Sequence, residues 1–266
     1  MDIKLVESSK GEKVSFIIKG TTPAFVNSLR RAIISDVPVM AIHEIEFRKN
    51  SSLLYDETIA HRLGLIPLKT DLKSYNLPSK CKCEGKGCAS CQVKLTLKVK
   101  GPAIVYSGEL ESNDPAIKPV YPKMPITNLL KNQVLEVEAT AILGKGSEHV
   151  KWSPGIAYYN QIPSIEIKDG NQHCKKCERF VEECPVELFE YKNNKLSIKK
   201  ENFYKVNLNE ACVGVCDEHV VITATDDYMF FVESFGQLKP VDMILSALRV
   251  IQEQVEEFGE VFKGVK

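Results

Sequence analysis

Nine cysteines punctuate this 266-residue chain, and four of them crowd into one short stretch. Cys81-x-Cys83-x4-Cys88-x-x-Cys91 sets four soft ligands around a loop that Gly85 and Gly87 leave free to turn tightly. Four thiolates satisfy the tetrahedral preference of Zn2+ and close its coordination shell, which is structural rather than catalytic chemistry. Such a complex carries two net negative charges, and Lys80, Lys82 and Lys86 stand beside it as counter-charges. Disulfides or unliganded thiols are the alternative for the same residues. The paired histidines and recognition helix of a nucleic-acid zinc finger do not follow.

The other five cysteines keep part of an iron–sulfur rhythm. The bacterial two-cluster pattern has two copies of C-x2-C-x2-C-x3-C-P, with the fourth cysteine of each copy serving the other cluster. Here Cys174, Cys177 and Cys184-Pro185 hold the first, second and fourth positions, and Phe180 stands at the third. A second copy keeps only its last two ligands, Cys212 and Cys216, with Val206 and Asn209 in the first two places. Exchange of fourth ligands then leaves one site with Cys174, Cys177 and Cys216, enough for a three-iron cluster or a four-iron cluster with an outside ligand. Cys184 and Cys212 are left as a residual second site, a disulfide or bare thiols.

No catalytic constellation accompanies these metal motifs. The five histidines, His43, His61, His149, His173 and His219, are scattered, without metalloprotease spacing or a nucleophile–base arrangement. Asp226-Asp227 is a lone acidic pair, short of the carboxylates needed to hold two magnesium ions, and reads as a solvated turn. Gly144-Lys145-Gly146 lacks the Lys-Ser/Thr continuation of a phosphate-binding loop and reads as a turn.

Thirty-five basic residues balance thirty-five acidic ones, so the chain has no formal net charge. That balance points to protein partners rather than to a direct grip on nucleic acid, which calls for a basic surplus or stripe. A hydrophobic content of 44% supports real cores. No apolar run approaches bilayer-spanning length, and Met1-Asp2-Ile3-Lys4 opens into alternating residues rather than a signal peptide. Cysteines in such a chain suggest metal or redox chemistry in the cytoplasm more than a secreted disulfide framework.

The elements that must carry these groups are legible in outline. Ile3 and Leu5, then Val14, Phe16 and Ile18, alternate at strand period around a polar turn, predicting a hairpin. Thr22 is placed to cap a helix with Pro23 at its first position. Phe25, Val26, Leu29, Ala32 and Ile33 form its apolar stripe, and Arg30 and Arg31 are expected at its C-terminal end. Ile42, Ile45 and Phe47 suggest a returning strand. A second short helix over Leu53–Leu68 has Asp56 as a candidate cap, His61 and Arg62 in the last turn and Gly64 at C′. Strands are expected at Val93–Val99, Val134–Leu143, Leu188–Tyr191, Leu196–Ile198 and Tyr228–Ser234. Pro240 opens the longest helix, where Val241, Ile244, Leu248, Ile251, Val255, Phe258 and Phe262 recur in three- and four-residue steps. That narrow seam suits packing along another helix, although a helix covering its own sheet has similar spacing.

The words Phe25–Arg31 with Val37-Pro38, Tyr55–Pro67, and Gly144-Lys145-Gly146 through Lys151-Trp152 resemble, in order, those of the archaeal RNA polymerase D-subunit family. This family is related to the bacterial alpha subunit and to a eukaryotic third-largest subunit. The resemblance implies an α+β fold with a discontinuous dimerisation domain at 1–47, 160–172 and 223–266. An insert domain with a zinc knuckle would occupy 48–159, and a small ferredoxin-like domain 173–222. It implies a non-catalytic assembly platform, paired with a small L-type subunit through Phe25, Leu29, Ile33, Val241, Ile244, Leu248, Ile251, Val255 and Phe258. Arg30, Arg31, His61 and Arg62 would meet the large catalytic subunits, with other small subunits nearby. An iron–sulfur redox or electron-transfer protein is the competing expectation, and a zinc-dependent nucleic-acid binder a third.

Overall fold

The computed structural model describes residues 1–9, 11–167, 189–192, 195–198 and 220–265. The cysteines at 174, 177, 184, 212 and 216, with most of the predicted ferredoxin-like domain, lie outside the described residues. The chain is mixed α+β and divides into two compact units, one of residues 1–8, 14–28 and 158–231, the other of 9–13, 29–157 and 232–266.

The first unit is built on a four-stranded sheet. Strands β1 (Asp2–Ser9) and β2 (Lys13–Lys19) form the expected hairpin, and the order continues through β12 (Val220–Ser234) to β9 (Gly155–Ile167). β1 is the edge strand and is exposed along its length, whereas Val14, Phe16, Ile17 and Ile18 of β2 are buried. Alternation along the strands sorts the side chains into two faces. Phe16 stacks on Phe230 with ring centroids 5.3 Å apart; Ile17, Ile162 and Met229 cluster separately. Asp226-Asp227 is not a turn but part of β12, where Asp227 Oδ1 accepts the Gly20 N–H at 3.2 Å. The predicted cysteine-block strands are present as the antiparallel pair β10 (Phe189–Lys192) and β11 (Lys195–Ile198).

Helix α1 (Pro23–Ser35) starts as its sequence predicts: Thr22 Oγ1 accepts the Phe25 N–H at 3.3 Å, meeting one of the donors the first turn leaves unpaired. Its end is different. The helix continues one turn beyond the arginines, with Asp36 and Val37 N–H groups both bonding the Ala32 carbonyl. Arg30 and Arg31 therefore stand within the helix, and its last turn holds no cation.

The second unit contains a sheet in the order β3-β8-β4-β6, with β3 Val39–Asn50, β4 Gln92–Lys100, β6 Glu111–Ser112 and β8 Val134–Gly144. Between β4 and β8 in the chain, β5 (Ala103–Tyr106) pairs with β7 (Pro125–Leu129). Period-2 patterning drives Leu135, Val137, Ala139, Ala141 and Leu143 of β8 inward beside Val93, Leu95 and Leu97 of β4. Their outward neighbours form charge pairs, Lys94 with Glu138 and Lys98 with Glu136. Helix α2 (Asp56–Gly64) closes this core with Ile59 and Leu63, both fully buried. Its N-cap is Tyr55 rather than Asp56, which is the first helical residue and accepts from Asn50 Nδ2 at 2.7 Å. Gly64 is the last helical residue and not a C′ glycine, since Leu65 supplies the cap in right-handed geometry.

The same unit holds the longest helix, α3 (Pro240–Lys263), which starts at Pro240 as expected. Pro240, Met243 and Ala247 are its buried face. Among the described residues no helix is long and apolar enough to cross a membrane.

Candidate functional site

The four-cysteine knuckle folds as its spacing demands. Cys83 N-terminal and Cys88 C-terminal arms are joined through Glu84, Gly85 and Gly87, all with positive φ, the region that favours glycine. Backbone bonds Glu84 N–H to Cys81 O and Lys86 N–H to Cys83 O, both 3.0 Å, fold the first arm; Cys91 N–H to Cys88 O, also 3.0 Å, folds the second. The Sγ atoms then converge. Cys81 to Cys83 is 3.4 Å, Cys81 to Cys88 and Cys83 to Cys91 are each 3.5 Å, and Cys88 to Cys91 is 3.8 Å. All four lie within 4.8 Å of one another and none is in a disulfide.

Zn–S bonds of 2.3 Å place tetrahedral sulfurs about 3.8 Å apart, so these residues could hold one such ion. Cys81 and Cys91 are buried and Cys83 and Cys88 partly open. Burial pushes the Cys91 thiol up to about 12, while the hydrogen bond with Cys81 holds Cys83 down to about 6. Four adjacent thiols with such opposed preferences share protons poorly, and a cation resolves the conflict by taking all of them as thiolates. Of the expected counter-charges, Lys80 is committed elsewhere: its Nζ meets Glu253 Oε2 on α3 at 2.8 Å.

The predicted partner-binding residues separate into two groups. On α3, Val241 is 53% exposed, Leu248 38%, Val255 65% and Phe258 70%, with Ile244 and Ile251 partly exposed. Phe262 is exposed as well, its ring 6.0 Å from that of Phe258. The seam thus flanks the buried Met243 and Ala247 face and is partly or largely open at each position. On α1, Leu29 and Ile33 are already buried within the chain and Phe25 is only half-covered.

The four basic residues are also unlike one another. Arg31, His61 and Arg62 are exposed and Arg30 is half-buried. Arg62 Nη1 donates to the Ile126 carbonyl at 2.5 Å, tying α2 to β7.

A second cluster escapes sequence reasoning altogether. His43, His61, His149 and Lys151 line a pocket of about 180 Å3 together with Ile42, Ile45, Ala60, Gly64 and Leu65. Lys151 Nζ lies 3.1 Å from the Ile42 carbonyl and 3.2 Å from His43 Nδ1, and 4.4 Å from the centre of the Trp152 ring. Its partners come from residues more than a hundred positions away, so no local spacing announces them.

Comparison with known proteins meets this geometry at the insert. Residues 45–156 match the RNA polymerase Rpb3/RpoA insert domain, a span that encloses the knuckle, α2 and all of the histidine–lysine pocket except Ile42 and His43. Relatives extend the likeness across the chain. DNA-directed RNA polymerase subunit Rpo3 of Archaeoglobus fulgidus is 36% identical over 267 residues, covering 100% of this chain and 99% of its own. The Rpo3 of Methanosarcina acetivorans is 37% identical over 261 residues, with coverage of 97% and 96%. That of Pyrococcus furiosus is 33% identical over 258 residues, covering 97% and 95%.

Proposed function

The chain belongs to the archaeal Rpo3 family of DNA-directed RNA polymerase subunits, and from that premise we propose how it works as a non-catalytic assembly subunit. The competing expectation of an iron–sulfur redox protein finds no support among the relatives, which are named as polymerase subunits.

The open seam of α3 carries the proposal. Val241, Ile244, Leu248, Ile251, Val255 and Phe258 present a long apolar stripe to solvent, and burying it against a partner helix is favourable in proportion to its area. The partner is a small L-type subunit. Phe25 adds exposed apolar surface from α1, while Leu29 and Ile33 serve pairing by fixing α1 rather than by touching the partner. Arg30, Arg31, His61 and Arg62 face the large catalytic subunits. Exposure makes Arg31, His61 and Arg62 the direct contacts, and Arg62 also holds α2 in place through Ile126.

The knuckle ion is zinc, held by Cys81, Cys83, Cys88 and Cys91, and it shapes the insert without taking part in chemistry. A ferredoxin-like domain with one cluster at Cys174, Cys177 and Cys216, and Cys184 and Cys212 left over, belongs to the same proposal on sequence grounds. The cytoplasm is the compartment that fits a thiol-rich polymerase subunit.

Co-expression with the small L-type subunit tests the function. A stoichiometric heterodimer is expected. A well-behaved monomer with reversible visible-region redox absorption would overturn the proposal in favour of a redox protein.

A further inference from the structure

The pocket beside the last turn of α2 is a concentration of hydrogen-bond donors. An ammonium group has three N–H donors and no acceptor. Because Lys151 cannot accept, His43 Nδ1 must accept from it, which leaves the His43 proton on Nε2. His149 Nδ1 accepts the Lys151 backbone N–H at 3.1 Å, so its proton also sits on Nε2. The Ile42 carbonyl is already taken by Lys151 Nζ. One donor of the ammonium is left over, alongside two imidazole N–H groups and His61.

Among the described residues no carboxylate lines the pocket or pairs with Lys151. Burial alone lowers the ammonium below the usual lysine range, with no acidic neighbour raising it again. The half-buried cation over the Trp152 ring is in an environment where an incoming anion gains more than it would in water. Two features shape the recess. A bulge in β3 between Ile42 and Glu44 turns His43 out of the ladder, and Gly64, without a side chain, leaves room at the end of α2.

We propose that this pocket of His43, His61, His149 and Lys151 receives an aspartate or glutamate side chain of a large polymerase subunit. The inference rests on the proposal that His61 faces those subunits, and it adds the chemistry of recognition: a single carboxylate accepting from Lys151 Nζ and the flanking imidazoles. A carboxylate fits the donor set because it only accepts, with room for several bonds. Its size suits a pocket of about 180 Å3.

Zero-length carbodiimide crosslinking of the assembled polymerase tests this directly. The reagent activates a carboxyl, and a lysine amine in contact displaces it to form an amide while the reagent leaves as its urea. Peptide mass spectrometry should find Lys151 joined to one Asp or Glu of a large subunit. Crosslinks elsewhere between this chain and the large subunits, with Lys151 joined to none of them, would overturn the inference while leaving large-subunit docking intact. Absence of any large-subunit crosslink in a complex that still holds the small subunit would overturn both.

The double variant His61→Ala, His149→Asn gives an independent measure. Both side chains are exposed, and asparagine retains an acceptor for the Lys151 N–H. Large-subunit affinity of the heterodimer should fall about tenfold or more, as for lost hydrogen bonds to a charged group, with small-subunit pairing unchanged. Unchanged large-subunit affinity would refute the pocket's role.

Discussion

Truncating the α3 seam is the sharpest test of the assembly function. Val255 is 65% exposed and Phe258 70% in the chain alone. Fully burying such side chains is worth about 1.5–3 kcal/mol each. Scaled by the exposed fraction, covering them contributes about 1 kcal/mol at Val255 and about 2 kcal/mol at Phe258. Alanine keeps the Cβ and its share of the area, so Val255→Ala with Phe258→Ala should cost about 2 kcal/mol, or roughly 30-fold in Kd.

The fold itself should not suffer. Both positions face solvent in the free chain, and alanine is a better helix former than valine or phenylalanine by a few tenths of a kcal/mol. Titration calorimetry of the purified chain against the small L-type subunit reads the Kd, and a thermal melt of the free chain reads stability. Met243→Ala is the contrasting variant: its side chain is fully buried, and its loss should cost about 2–5 kcal/mol of stability. A double variant with unchanged melting and a Kd within twofold of the parent would refute the assignment of the seam as the pairing face.

Four other outcomes follow from named positions. A Cβ added at Gly144 would lie 2.3 Å from Cδ2 and Cε2 of the buried Trp152 ring, so Gly144→Ala should cost about 1–3 kcal/mol and lower the Tm by several degrees. Gly259→Ala meets nothing within 4 Å inside α3 and should raise the Tm instead. Serine at both Cys83 and Cys88 should abolish bound zinc by elemental analysis and lower the melting temperature, whereas an equal melt with and without metal would remove its structural role. The hydrogen bond and charge of Lys94, with Arg48 beside it, hold the Glu138 carboxyl below its ordinary value. A group depressed in the folded state stabilises above its unfolded pKa, and that contribution fades as pH falls through the folded value. The stability gap between the parent and Glu138→Gln should therefore be present at neutral pH and close in strong acid; a gap that widens in acid contradicts the pairing.

What was legible in the sequence was local. Thr22 beside Pro23 marks the start of α1 because a cap and its helix are neighbours in the chain. The thiolate spacing brings the four knuckle sulfurs together because turns of three or four residues do the folding. Strand alternation at Val93–Val99 and Val134–Leu143 puts Leu95 and Ala139 inside together because period 2 needs no knowledge of the partner strand. Helix ends were less secure. Arginines are favourable near a helix C-terminus but do not fix it; the Ala32 carbonyl, bonded by both Asp36 and Val37, marks where α1 stops. At α2, Asp56 has the chemistry of a cap but is drawn into the first turn by Asn50.

Periodicity also leaves open what a stripe is for. The α3 seam is equally compatible with a helix lying on its own sheet, and only the fold shows that Met243 and Ala247 take that role, leaving the heptad positions outside. The histidine–lysine pocket is hidden for a different reason. His43 would follow its strand into the ladder, but register slips between Ile42 and Glu44, and that slip sets it against Lys151 from a distant loop. A bulge is a property of two strands at once, and neither segment carries it alone. Three histidines that look scattered along the chain are therefore gathered by pairing of β3 with β8 and by the seat of α2 on their sheet. Contacts made this way depend on the irregularity itself: deleting His43 would leave Ile42 opposite Ala141 and Glu44 opposite Thr140 as regular neighbours, with the other β3 residues on the faces they already hold. It would take one imidazole from the pocket and leave Lys151 without its Nδ1 acceptor, while the knuckle, folded by its own turns, should keep its four thiolates together.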